Sequence, residues 1–468
     1  MMHRVILWSW AVKTHWFIKT DEELNMSKLA LYGGTPVLNK KEVPRDLFHW
    51  PIVNDQMRRA QAEVLETGNM SGTDISRQFE QKFAEWHGMK YGLAHNTGTN
   101  SLLAAMYGIG LGPGDELICP SVTYWASCTA ALGLGAAVVF CDICEKDLQL
   151  DPASFEAHIT PRTKAVMVVH YMAHPADMDP IMEIARRHGI KVIEDVSHAQ
   201  GGHYKGKLLG TFGDVAGMSL MSGKSFAIGE GGMLLTNDLE IYRRAIRFGH
   251  YDRISEVYSP EEFKGTNTVP FGGQKFRMHQ VSAAIGLEQL KKYESEITEI
   301  DRAMKYFWNG IRDIKGLRMI YPEERGSDKS GWYASRFGYD PEAFSGVSND
   351  VFCRALNAEA PGFASGCNYP LHHSEVFYSA DLFGHGRPTA GLNLPAGVDL
   401  RKLTGELPVA SGINQRLLGE PWFKHFNTGL IDRYIEAVHK VAENHRELLS
   451  EKSDGAAEGN IALTHRKK

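Results

Sequence analysis

A chain of 468 residues is too long for one simple core and fits two or three domains. Its 43% hydrophobic and 23% charged residues are those of an ordinary globular protein, and a net charge of −5 offers no attraction for nucleic acid or an anionic membrane. The cysteines (Cys119, Cys128, Cys141, Cys144, Cys353 and Cys367) form no disulfide framework, which points to a reducing, cytoplasmic setting.

No apolar run approaches the roughly 20 residues that span a bilayer. The run Val5-Ile-Leu-Trp-Ser-Trp-Ala-Val12 is short, is soon followed by Lys13 and Lys19, and lacks a small-residue cleavage site, so a secretory leader is not expected. Translation starting at Met26 is the favoured reading, with residues 1–26 an extension and 27–60 an arm. From residue 91 to 236, short β-branched runs alternate with amphipathic helical stretches such as 178–188. Strands are predicted at 116–119, 137–141, 164–170, 190–195, 214–220 and 232–236. That alternation gives an α/β class, a largely parallel sheet covered on both faces. Cys141-Asp-Ile-Cys144 closes one of these runs and reads as a strand end; no metal site is expected, because no second ligand pair accompanies it.

A helical stretch follows over 278–314, whose charged half, 288–301, suits an exposed connector. Beyond residue 317 strands (317–321, 334–339) and a last helix (430–449) mix as in a smaller α+β domain. The expected division is a large domain over 61–295, a small one over 296–450 and a tail over 451–468.

Three segments at strand ends carry chemistry, where doubly wound sheets collect their ligands. His95-Asn-Thr97-Gly98-Thr99 is a small turn opening a helix, whose free N–H groups suit a phosphate; taken alone, a plain N-cap is the favoured reading of the same residues. Val192-Ile-Glu-Asp195 ends an apolar strand on a carboxylate that either caps a helix or pairs with a protonated pyridine nitrogen. Ser219-Leu-Met-Ser-Gly-Lys224 places a lysine among small and apolar neighbours before the glycine-rich Gly229-Glu-Gly-Gly232. Burial there lowers the pKa of an imine-forming amine. Together they make a phosphate cup, a pyridinium partner and a Schiff-base lysine.

With Leu31-Tyr-Gly-Gly-Thr-Pro36, Gly112-Pro-Gly-Asp-Glu116 and Pro175-Ala-Asp-Met-Asp-Pro180, these segments make the chain similar to the DegT/DnrJ/EryC1/StrS family of sugar and aminocyclitol aminotransferases, from residue 31 to about 447. The resemblance implies a pyridoxal-phosphate-dependent transferase of fold type I. Its large domain would hold a mainly parallel seven-stranded sheet, followed by a small α+β domain. It implies that Lys224 forms the Schiff base and shuttles protons, and that Asp195 faces the pyridine nitrogen. Thr97, Gly98, Thr99 and Ser219 would hold the phosphate, Tyr124 (or Trp125) would stack on the ring, and His198 would lie near the phenolic oxygen. Where the family often has Gly-Tyr-Asn-Tyr-Arg this chain has Gly273-Gln-Lys275-Phe-Arg277, so Lys275 either reaches the phosphate of a second subunit or is a surface charge.

The implied reaction moves an amino group from glutamate or glutamine to a keto-sugar or keto-cyclitol, in a homodimer with shared sites. Two related chemistries stay open, sugar dehydration and aminohydroxybenzoate synthesis; the first is disfavoured because those enzymes replace the lysine with histidine. Asn368-Tyr-Pro-Leu-His372-His373 resembles the cyclitol and aminohydroxybenzoate branches, with His372 and His373 as substrate contacts. A non-catalytic regulator that binds the cofactor is the remaining alternative.

Overall fold

The computed structural model describes residues 29–44, 47, 50–263, 273–451 and 453. The extension 1–26, the start at Met26, most of the tail 451–468 and the end of the loop 251–269 lie outside the described residues.

Two helices lead in, α1 (Asp55–Glu66), capped by Asn54 through Met57 N, and α2 (Asp74–His87), closed by Gly88 at φ 66°. The central sheet then runs through β1 (Tyr91–His95), helix α3 (Gly98–Gly108), β2 (Glu116–Pro120), β3 (Ala137–Cys141) and β4 (Thr163–Val169). After helix α4 (Met178–His188) come β5 (Lys191–Asp195), β6 (Val215–Ser219), β7 (Gly232–Thr236) and helix α5 (Leu239–Gly249). The sheet has seven strands in the order β1-β7-β6-β5-β4-β2-β3. The pairs β2/β3, β2/β4, β4/β5 and β5/β6 are parallel, and β7 runs antiparallel between β1 and β6. Strands β2, β3 and β7 are buried along their whole length, as strands covered on both faces must be. Cys141 is the last residue of β3, and all six cysteines are free thiols.

The long helix expected over 278–314 is two helices, α6 (Gln280–Leu290) and α7 (Tyr293–Ile311). Lys292 leaves the helical region at φ −122°, and the second helix restarts with Tyr293 buried, its hydroxyl donating to Gln200 O at 2.9 Å. A continuous helix would have kept its own path; the buried phenol is what the turn secures. After it come β8 (Leu317–Met319), β9 (Phe337–Tyr339), helix α8 (Asn349–Glu359), β10 (Ala364–Ser365), β11 (Leu417–Gly419) and helix α9 (Thr428–Glu443). The four strands form a second, antiparallel sheet in the order β8-β9-β11-β10.

One apolar core surrounds the large sheet; another unites α7, α8, α9 and the small sheet with Leu29, Leu38 and Leu47. Cys367, Leu371, Phe377 and Ala410, from the stretch between β10 and β11, pack into the large-sheet core. Asp142 fixes that stretch by accepting from Val409 N at 3.1 Å and Ala410 N at 2.8 Å. Among the described residues no helix is long and apolar enough to cross a membrane.

Candidate active site

Helix α3 begins where β1, β6 and β7 converge. Thr97 is extended (φ −150°) and its Oγ1 accepts from Asn100 N at 3.1 Å, so the N-cap reading holds for that oxygen, while the hydroxyl proton stays free to donate. The N–H groups of Gly98 and Thr99 have no intrahelical acceptor and no bond among the described residues. Gly98 is required sterically: a Cβ there would lie 2.4 Å from Ser219 Cβ. The approach is equally tight from β7, where a Cβ on Gly232 would lie 2.3 Å from Thr97 O. Small residues therefore press the end of β6, with Ser219, against the positive end of the α3 dipole.

At the end of β5 two neighbouring carboxylates have different tasks. Glu194 is fully buried and takes bonds from His170 Nε2 (3.0 Å) and from the N–H groups of Gly210, Phe212 and Gly213 (2.8, 2.7 and 2.7 Å). Burial pushes its pKa up, and the bonds from His170 and the backbone prevail and hold it below the usual range. It organises the turn before β6. Asp195 points to the other side, 3% exposed; Oδ2 accepts from Ser127 Oγ at 2.7 Å and Oδ1 from Ser197 N at 3.0 Å. Ser127 comes from the same loop as Tyr124 and meets Thr123 Oγ1 at 3.0 Å.

Lys224 lies in the loop joining β6 and β7, 7% exposed. Bonds from Lys224 N to Met221 O and Ser222 N to Gly229 O, both 2.8 Å, set the loop, and Trp50 Nε1 donates to Lys224 O at 2.7 Å. Burial pulls the amine down to about 8 against the opposing pull of the Asp195 charge. Its Nζ sits 4.4 Å from the ring centroid of Tyr333, which reaches over from the segment before β9. His198 packs on the same ring, with centroids 4.8 Å apart. Burial, then the charges of Lys224 and Arg336, hold its imidazole well below its ordinary value, so it is neutral near pH 7. Its Nδ1 accepts from Met172 N at 3.3 Å, which leaves the proton on Nε2. Behind the lysine, Gln200 donates to Ser197 O and Ser219 O (3.1 and 2.6 Å) and accepts from Ser225 Oγ (2.8 Å), tying the ends of β5 and β6 to the lysine loop.

Tyr124 is half-buried on the inner side of its loop, whereas Trp125 is 48% exposed; their ring centroids are 4.9 Å apart. His372 is buried behind that loop, bonded through Nδ1 to Ser121 Oγ and through Nε2 to Ser411 Oγ, the latter at 3.2 Å. Burial pushes it down to about 4. His373 is exposed, 3.4 Å from Ser411 Oγ. Lys275 stands apart from the other site residues, exposed, with Nζ 5.8 Å from the Tyr251 ring centroid. The structure thus brings Thr97, Gly98, Thr99, Asp195, His198, Ser219 and Lys224 together, with Tyr124 at their edge. Ser127, Gln200, Tyr333 and Trp50 are part of the same assembly, yet no local pattern marks them in the sequence. A buried amine drawn down to about 8, a seated carboxylate and an open helix N-terminus are a donor set that fits pyridoxal phosphate, and the tight contacts at Gly98 and Gly232 exclude a side chain at those two positions beside the helix end.

The sequence profile of the DegT/DnrJ/EryC1/StrS aminotransferase family matches residues 51–438. L-glutamine:2-deoxy-scyllo-inosose aminotransferase of Micromonospora echinospora is 31% identical over 444 residues, which is 90% of this chain and 100% of that one. GDP-perosamine synthase of Caulobacter vibrioides is 40% identical over 284 residues, 60% of this chain and 74% of that one. Among solved structures, an aminotransferase from Psychrobacter cryohalolentis superposes with a TM-score of 0.73 at 26% identity, covering 85% of this chain and 99% of that one.

Proposed function

The chain belongs to the DegT/DnrJ/EryC1/StrS aminotransferase family and is a pyridoxal-phosphate-dependent aminotransferase; from that premise we propose that Lys224 is its Schiff-base lysine and that it aminates a keto-cyclitol or keto-sugar with L-glutamate or L-glutamine. The observation that carries this reading is the amine of Lys224, buried, drawn down to about 8 and placed with Asp195 and the open end of α3. The acceptor class follows from the relatives, one acting on 2-deoxy-scyllo-inosose and another making GDP-perosamine.

When bound, the cofactor supplies the electron sink that makes the donor's α-hydrogen acidic. The protein residues do the rest. The N–H groups of Gly98 and Thr99 and the hydroxyls of Thr97 and Ser219 hold the phosphate. Tyr124 covers one ring face, with exposed Trp125 outside it. Asp195, kept in orientation by Ser127 and the Ser197 N–H, holds a proton on the pyridine nitrogen. His198, protonated on Nε2, donates toward the phenolic oxygen. Lys224 takes the proton from the donor's α-carbon and, in the return half, delivers one to the carbon that receives the amino group.

Two copies forming a dimer would let exposed Lys275 reach the phosphate of the opposite site with a charge-assisted bond. His372, held neutral between Ser121 and Ser411, and exposed His373 then serve the acceptor. Six free thiols agree with work in a reducing cytoplasm.

The test is the visible spectrum of the cofactor-loaded enzyme. Donor alone should bleach the band, and a keto-cyclitol or keto-sugar should restore it. A band indifferent to both amino acids contradicts the donor assignment. Bleaching that no such acceptor reverses contradicts the acceptor class.

A further inference from the structure

Tyr333, in the stretch that leads into β9, touches both Lys224 and His198. Lys224 Nζ lies over its ring, 4.4 Å from the centroid, and the His198 imidazole is inclined at 60° to it with centroids 4.8 Å apart. The backbone that presents the ring is strained. Ser330, Trp332 and Ala334 have φ of 46°, 54° and 52°, a region that residues with a Cβ seldom enter. Such a conformation persists only where its surroundings over-determine it, and here they do. Ser330 Oγ donates to Gln200 O, a Cβ on Gly331 would lie 2.6 Å from the Cβ of Ser225, and buried Trp332 donates from Nε1 to Asp301 Oδ1 at 2.9 Å.

Trp422 closes the frame. Its Nε1 donates to Gly331 O at 2.9 Å, and its ring centroid lies 6.1 Å from that of Tyr333 and 5.2 Å from that of Trp50, which donates in turn to Lys224 O. The carbonyl and the amine of Lys224 are thereby tied to one group of rings. The Tyr333 hydroxyl makes no hydrogen bond among the described residues, so what the frame delivers to the amine is the aromatic face. An aromatic face attracts an ammonium far more than a neutral amine. Asp195 also favours the charged amine, but its oxygens are already bonded to Ser127 and the Ser197 N–H, and His198 is neutral.

We propose that Tyr333 is a positioning residue for the proton transfer: its ring face receives Lys224 as an ammonium and stabilises the lysine while it holds the donor's proton. This rests on Lys224 as the Schiff-base lysine and proton carrier of the preceding section. When Nζ takes that proton, the C–H bond of the donor's α-carbon breaks, an N–H bond forms and the electron pair stays with the carbon. The lysine turns from neutral to cationic in a site that burial makes unfavourable to charge, and the ring offsets part of that cost.

The test follows donor bleaching of the visible band in single turnover. Tyr333→Leu should slow the maximal rate by about 5- to 30-fold and change half-saturation by less than about threefold, and Tyr333→Phe should recover most of the lost rate. In the apoenzyme, the pH midpoint of cofactor uptake should fall by about one unit in Tyr333→Leu, because losing the ring makes the neutral amine easier to reach. A graded series then holds shape nearly constant. Phenylalanine at position 333 with progressively more ring fluorine keeps the packing and drains the negative face, and each step should lower both the rate and the midpoint. A flat fluorine series, an unmoved midpoint in folded Tyr333→Leu, or a Tyr333→Phe as slow as Tyr333→Leu would each overturn the inference. Borohydride fixing the cofactor to another lysine of the wild type would remove the Lys224 reading and this role with it, whereas a cofactor fixed on Lys224 together with a flat series removes this role alone.

Discussion

Two buried lysines, Lys224 and Lys329, differ in one respect that matters. Lys224 and Lys329 are both drawn down to about 8 by burial, and each lies over an aromatic ring, at 4.4 Å from Tyr333 and 5.0 Å from Trp332. Each has a carboxylate that pulls the other way, Asp195 for the first and Glu420 for the second. Lys329, however, is fully enclosed and spends its Nζ on Ser335 Oγ at 2.7 Å. Lys224 retains some exposure at the carboxyl edge of a parallel sheet, and its Nζ donates no hydrogen bond among the described residues. A depressed pKa therefore does not identify a catalytic lysine; an uncommitted amine facing an open edge does.

The contrast breaks first under substitution. Lys224→Ala should lower transamination by more than about 10⁴-fold, with the fold retained, because the side chain makes no structural hydrogen bond. Lys329→Met should leave turnover within a few-fold and instead destabilise the fold by about 1–3 kcal/mol, since Ser335 loses its hydrogen-bond partner and buried Glu420 a nearby opposite charge; equilibrium denaturation reads the loss. If the two phenotypes were exchanged, the assignment of roles would be wrong.

Asp195→Asn comes next, with an expected fall of about 10²–10³ in turnover and weaker cofactor retention. Wild-type rates in that variant would remove the carboxylate from the mechanism.

Protonation separates the lysines more gently. The rate at which apoenzyme takes up the cofactor should climb with pH until about 8 and then level, following the neutral amine of Lys224. For Lys329 the consequence is in stability. Its folded-state pKa of about 8 lies below the ordinary 10.5, so the unfolded chain binds more protons between those values. Stability should therefore rise with pH across that window by up to about 3 kcal/mol more in the wild type than in Lys329→Met. Equal slopes would mean that Lys329 is not held neutral. The smallest effect expected is that of Ser127→Ala, about 3- to 10-fold in turnover, because Asp195 keeps the Ser197 N–H when that hydroxyl is lost.

Much of the large sheet was legible in the sequence, because fully buried strands are continuous apolar runs with sharp ends. The runs at 137–141 and 232–236 agree with the strands residue for residue, and the others within about two residues. The site residues at strand ends were equally accessible, since Asp195 and Ser219 close such runs and Thr97 and Lys224 follow one by a few positions. Tyr333 was not: it comes from the segment leading into β9, more than a hundred residues beyond Lys224, and only the tertiary fold brings its ring to the amine. The break at Lys292 was hidden for a similar reason: helical periodicity continues through it, while the Tyr293 hydroxyl beside it is committed to tertiary partners, Gln200 and Ser225.

The central claim is that Lys224, and not its buried counterpart, joins the cofactor. Borohydride reduction of the loaded enzyme, followed by proteolysis and mass mapping, tests it directly, because reduction turns the imine into a stable secondary amine at whichever lysine carries it. The account predicts the pyridoxyl modification on the peptide containing Lys224. Modification at Lys329 or at any other lysine, with Lys224 unmodified, would contradict it.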